Sequence, residues 1–230
     1  MRLPDKTCTL ESAVARIPDG AVLLVGGFGI PGTPFTLLRE LERQGQQQLT
    51  LIKNDANEPG TGIDRLLRSG QVRRLVTSHI GLNAHAIERM NEGTLEVEFC
   101  AQGILAERIR AGGAGIPAIL TDVGLGTELV PGKTVVEIEG RPLVVESALR
   151  ADVALIHAAT ADPFGNLAYV ATARNFNPPM AMAADWVIAE AESLVALGAL
   201  SAEHVETPGG FVDAVVPLSA LTEDYGIVRR

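Results

Sequence analysis

Residues 19–34 read Asp-Gly-Ala-Val-Leu-Leu-Val-Gly-Gly-Phe-Gly-Ile-Pro-Gly-Thr-Pro, and the fold class turns on how this stretch is understood. Ala21 to Val25 is an unbroken apolar run without alternation, the pattern of a strand covered on both faces. Pro18-Asp19-Gly20 makes the turn before it, and Leu10 to Ile17 reads as a short helix leading in. Glycines at 26, 27, 29 and 32 follow the strand. Thr33 offers an N-cap and Pro34 a first helical residue, so a helix is expected from Pro34 to about Gln44, stopped near Gly45. Leu49 to Lys53 is the next strand. Strand, glycine loop, helix and strand in this order form a right-handed crossover with the two strands as parallel neighbours.

Working outward, the alternation continues. Helices are expected over Gly62 to Ser69, Ala84 to Glu92 and Gly103 to Ala111, with strands over Arg74 to Thr77 and Leu95 to Phe99. After the Gly112 to Gly115 turn the pattern changes: Thr134 to Ile138 and Pro142 to Glu146 flank Glu139-Gly140-Arg141, the signature of an antiparallel hairpin. Strands at Val153 to Ala158, around Leu167 to Val170 and at Trp186 to Glu190 resume the α/β order, with a helix over Pro178 to Ala184. The expectation is a single domain over residues 1–230, built as an open, mostly parallel, Rossmann-like sheet flanked by helices with an added antiparallel hairpin.

Composition narrows function. With 230 residues, 47% hydrophobic, the chain is long enough to bury a substantial core. Its apolar runs are far shorter than the roughly 20 residues that cross a bilayer, and Met1 to Leu10 lacks the apolar stretch of a secretory signal, so a cytoplasmic protein without membrane contact is expected. A net charge of −9, with no basic block longer than Arg73-Arg74 or Arg229-Arg230, speaks against nucleic acid. Cys8 and Cys100 lack metal or redox spacing and are expected to be buried free thiols. His79, His85, His157 and His204 form no metal motif, so no metal is expected.

Gly27, Gly29 and Gly32 spell GxGxxG between a strand and a helix, which is compatible with a dinucleotide-binding loop and hence a nucleotide-dependent oxidoreductase. Pro31 and Pro34, however, remove two N–H groups from the segment that would cradle a pyrophosphate. A second reading is a glycine turn that lets strand and helix pack closely. A third is a concavity whose bare N–H groups face an acyl oxygen or carboxylate.

The wider string, Asp19-Gly20, the triplet Leu23-Leu24-Val25, Gly26-Gly27-Phe28, Gly32 and Pro34, resembles the signature of family I CoA-transferase α subunits, with every position filled. Similar matches follow at Leu95-Glu96-Val97-Glu98, Gln102-Gly103, Leu105 to Gly115, Ala173 to Pro178 and Thr207-Pro208-Gly209, so the resemblance covers nearly the whole chain. Within the family it leans toward enzymes using acetate, butyrate or acetoacetate and toward 3-oxoacid transferases, with 3-oxoadipate transferases as an alternative.

The resemblance implies ping-pong chemistry on a glutamate, through an acyl-glutamyl anhydride and a glutamyl-CoA thioester. In the family that glutamate belongs to a Ser-Glu-Asn-Gly motif of the β subunit, and no such motif occurs here. The implied partner is therefore a β subunit, in an αβ or α2β2 assembly, with an acyl-CoA and a small carboxylic acid as substrates and no further cofactor. No residue of this chain is expected to act as nucleophile. Gly26, Gly27, Phe28, Gly29 and Gly32 are the candidates for the substrate-facing, oxyanion-binding loop, with Asn54 at the end of the second strand and Gln102 after the fourth. Gln102 could equally cap its helix. Arg108 and Arg110 read as cations favoured at a helix C-terminus, Glu96 and Glu98 as the solvated face of a strand, and Glu190 as a structural carboxylate.

Overall fold

The computed structural model describes residues 3–227, so Arg229-Arg230 and the first two residues lie outside it. The chain runs α1 (Leu10–Val14), β1 (Val22–Val25), α2 (Phe35–Gln44), β2 (Leu49–Ile52), α3 (Asp64–Arg68), β3 (Val72–Thr77), α4 (Ala84–Asn91), β4 (Glu96–Phe99) and α5 (Gln102–Gly113). It continues through β5 (Ala118–Thr121), β6 (Val135–Ile138), β7 (Arg141–Ser147), β8 (Ala151–Ala161), β9 (Leu167–Ala168), α6 (Asn177–Met182), β10 (Ala184–Leu194) and β11 (Ala214–Pro217).

The main sheet has the order β11-β10-β8-β1-β2-β3-β4, parallel throughout, with β9 added antiparallel to β8. Leu23 and Val25 face one side with Leu49, Leu51 and Leu75, under α1 to α4. Leu24, Ile52, Val76, Ala154 and Ile156 face the other, under α5 and α6. Burial on both faces is why these strands carry apolar runs instead of alternation. The chain moves outward from β1 to β4, then returns to lay β8, β10 and β11 on β1's other edge. The reversal between β1 and β8 opens a crevice at the carboxyl ends of the strands.

Four expectations are corrected. The hairpin is part of a separate three-stranded sheet, β5-β7-β6, because Ala118–Thr121 pairs antiparallel with β7. β8 and β10 each run 11 residues, well beyond the apolar cores at Val153 to Ala158 and Trp186 to Glu190, since they pair with one another along their whole length. Helix α2 starts at Phe35 with Pro34 as its N-cap, and Thr33 donates from Oγ1 to the Gly29 carbonyl at 2.6 Å instead of capping. Arg108 is only 7% exposed: it donates to Glu98 Oε1 at 2.7 Å and to the Ser147 carbonyl at 2.7 Å, so it clamps α5 to β4 and β7 and is no free helix-end cation. Glu98, in turn, is shared by Arg74 and Arg108.

Candidate active site

The glycine loop leaves β1 at the switch point, and its glycines divide into two kinds. A Cβ on Gly26 would lie 1.9 Å from Asn177 Oδ1, on Gly27 2.2 Å from Thr33 Oγ1, and on Gly32 2.3 Å from the Ala173 carbonyl. These three are bare because protein packs against them. A Cβ on Gly29 would meet nothing closer than Asp55 Oδ2 at 3.9 Å, although its φ of +60° favours glycine. Gly29 is where the loop is open. Its carbonyl is pinned from behind by Thr33 Oγ1 and by Asn57 Nδ2 at 3.0 Å.

The backbone donors divide as well. Gly26 N–H donates to the Leu155 carbonyl at 2.9 Å and Phe28 N–H to the Pro31 carbonyl at 3.0 Å, so neither amide is available to a ligand. This corrects the expectation that Gly26 and Phe28 present oxyanion donors. The N–H groups of Gly27, Gly29 and Gly32 have no hydrogen-bond partner among the described residues. The Phe28 ring is 50% exposed at the loop tip and stacks on Phe176 with centroids 6.3 Å apart.

On the β2 to β4 side, Ser78 links three strand ends. Its Oγ lies 2.6 Å from the Asn54 carbonyl oxygen and 2.6 Å from Gln102 Oε1. Asn54 Oδ1 accepts from Lys53 Nζ at 3.2 Å. The Asn54 amide oxygen is thus occupied, whereas Ser78, with one hydroxyl hydrogen, serves either the Asn54 carbonyl or Gln102 Oε1; neither amide nitrogen has a partner among the described residues. Gln102 opens α5 without supplying a side-chain cap. The sequence-derived candidates Gly29, Asn54 and Gln102 therefore share one end of the sheet as hydrogen-bond donors.

On the β8 and β10 side the polar groups are closed on one another. Buried His157 sets Nδ1 2.9 Å from Glu190 Oε1 and Nε2 3.1 Å from Glu192 Oε1. Burial opposes the imidazolium, but the hydrogen bonds to the two carboxylates outweigh it and raise the His157 pKa to about 9. Glu190 Oε2 accepts from Leu37 N–H at 2.9 Å, which caps α2 from a strand far away in sequence. Tyr225 OH lies 2.7 Å from Glu190 Oε1 and 2.8 Å from His157 Nδ1. Beside this cluster is a cavity of about 320 Å³ lined by Ile30, Pro31, Gly32, Val170, Ala173 and Tyr225. Sequence reasoning gave Glu190 a structural place but missed Lys53 and the His157 cluster, for neither has a motif.

Donors converging at the carboxyl end of a parallel sheet can receive an oxygen that is, or becomes, negative. Asp55, the acidic side chain beside Gly29, is paired with Lys53 at 3.5 Å. Among the described residues no group of His, Cys, Asp and Glu is arranged to hold a metal ion, and no helix is long and apolar enough to cross a membrane.

The family model described as Coenzyme A transferase matches residues 7–218. The chain is 50% identical to a protein of Bacillus subtilis named as the alpha subunit of a probable coenzyme A transferase, over 92% of this chain and 93% of that one. It is 46% identical to the corresponding chain of the succinyl-CoA:3-ketoacid coenzyme A transferase of Xanthomonas campestris, over 94% of this chain and 88% of the other. Its fold matches the crystal structure of an acyl-CoA transferase of Escherichia coli O157:H7 in a thioester complex with CoA, with a TM-score of 0.86 at 24% identity and 99% of this chain covered. The chain spans about half, 49%, of that longer protein.

Proposed function

The chain belongs to the coenzyme A transferase family, and from that membership we propose that it is the α subunit of a two-chain enzyme that moves CoA from an acyl-CoA to a short-chain carboxylic or 3-oxo acid. The acyl-CoA is of the acetoacetyl or succinyl type, in keeping with the sequence resemblance and with the name of the Xanthomonas relative. Membership in this family replaces the oxidoreductase reading of the glycine loop.

One observation supports the division of labour: the crevice offers the N–H groups of Gly29, Asn54 and Gln102, while the carboxylate beside Gly29, that of Asp55, is tied to a lysine. A glutamate of the β chain attacks the thioester carbonyl carbon, and the carbonyl oxygen becomes an oxyanion. The donors stabilise that charge more than the ground-state carbonyl, which lowers the barrier. The C–S bond breaks, CoA leaves as thiolate and the acyl group is held as an anhydride. Attack of the thiolate on the glutamyl carbonyl releases the first acid and leaves CoA on the glutamate, and the second acid reverses these steps.

The test is co-expression with the β chain, followed by an assay of CoA exchange from acetoacetyl-CoA or succinyl-CoA to acetate, butyrate and 3-oxoadipate. Transfer by the pair and none by this chain alone is the expected result. Exchange by the lone chain, or none by the pair with any acid, contradicts the proposal.

A further inference from the structure

Lys53 enters the sequence reading only as the last residue of a strand, yet in the fold it is an anomaly. Its side chain is 0% exposed where β2 runs into the crevice. Burial holds its pKa below the usual lysine range, against the opposing pull of Asp55. Its polar neighbours are Asn54 Oδ1 at 3.2 Å and Asp55 Oδ1 at 3.5 Å. A methionine would have much the same reach without the desolvation cost of an ammonium.

The ammonium has donors and no acceptor. It can therefore meet Asn54 only through the side-chain oxygen, since the opposite orientation would set N–H against N–H. With Oδ1 held inward, the amide nitrogen is the end that faces outward. Asn54 makes no other side-chain hydrogen bond among the described residues, and 4% of its surface remains exposed. Asp55 balances the buried charge, so a neutral crevice floor supports a strongly polarised donor.

We propose that Lys53 is a positioning residue: by holding Asn54 Oδ1 it fixes the Asn54 amide with its N–H groups toward the crevice, as a donor to the oxygen that becomes anionic. The role rests on the functional reading above. It is specific to Lys53 and Asn54, and a packing role for Lys53 would not couple the two.

The test compares wild type, K53M, K53Q, N54A and K53M/N54A, each assembled with the β chain, by steady-state CoA transfer and thermal unfolding. K53M is expected to lower kcat roughly tenfold or more with KM little changed, as for a donor that acts on developing charge. K53Q, which can still donate to Asn54, recovers part of the loss. The double variant should be no slower than the slower single one, because removing Asn54 leaves Lys53 nothing to orient. A K53M enzyme within twofold of wild type overturns the role, as does a double variant whose loss is the product of the two single losses. If K53M does not assemble, K53L and K53L/N54A, which likewise remove the donor, take its place in the cycle and decide by the same criteria. A wild-type pair without transfer overturns the functional reading and this role together, whereas an active wild type beside an unaffected K53M overturns the role alone.

Discussion

The two flanks of the glycine loop use similar polar side chains and leave them in opposite states. Toward β8 and β10, His157, Glu190, Glu192 and Tyr225 are satisfied by one another and by the amino end of α2. Toward β2, β3 and β4, Asn54 has its amide oxygen engaged, Gln102 shares the Ser78 hydroxyl with the Asn54 carbonyl, and neither amide nitrogen has a partner among the described residues. A closed polar cluster returns its desolvation cost as rigidity, whereas an unfinished one is completed by a ligand. The contrast assigns stability to the first flank and binding to the second.

The contrast breaks most visibly at Glu190. Removing it in E190A leaves a buried imidazolium short of a partner and α2 uncapped, and the expected loss of unfolding free energy is about 3 to 5 kcal/mol by urea titration. The complex that still folds should keep most of its activity. Inactivity with unchanged stability would move Glu190 into the chemistry.

His157 gives the same flank a pH signature. Its folded pKa of about 9 lies above the usual 6.5, so the stabilisation is complete below pH 6.5 and is lost as pH rises through 9. The full effect is on the order of 3 kcal/mol. Thermal unfolding from pH 6 to 10 should show this decline in wild type and not in H157Q, and parallel declines would assign it to other groups.

Gln102 sharpens the contrast from the other side. Q102A should lower kcat roughly 100-fold, or about 2 to 3 kcal/mol of activation free energy, while the unfolding midpoint barely moves. Loss of stability equal to loss of activity would return Gln102 to a packing role. The smallest free-energy change expected of the four belongs to Gly29. G29A has room for its methyl group and incurs only the left-handed backbone, about 1 kcal/mol in the unfolding equilibrium, but it sets that group in the open part of the loop, where transfer rates should fall.

Much of this was legible in the sequence, because apolar runs and glycine punctuation register periodicity and turn geometry directly. The order of β1 to β4 and the loop at their head followed from that, and Asn54 and Gln102 stand out as residues just past strand ends. What escaped depended on partners remote in sequence. The ends of β8 and β10 are polar or small and are strands only because each lies against the other. Ala118–Thr121 is a strand because β7 lies beside it. Gly26 and Gly27 look no different from Gly29 in the string, and it takes Asn177 and Thr33 in space to show that packing excludes a side chain at the first two. Lys53 reads as an ordinary strand-end lysine until burial reveals its setting.

The place of β1 at the centre of the sheet also sets a timetable. One of its edges is taken by β2 almost at once, but the other waits for β8, whose first bonded partner, Val153, is synthesised 130 residues after Leu23. At ribosomal speeds of about 5 to 20 residues per second, that leaves an apolar, unpaired edge exposed for roughly ten seconds on every nascent chain. Folding yield in the cell should therefore respond to translation speed between β2 and β8, and to chaperones that shield bare strand edges.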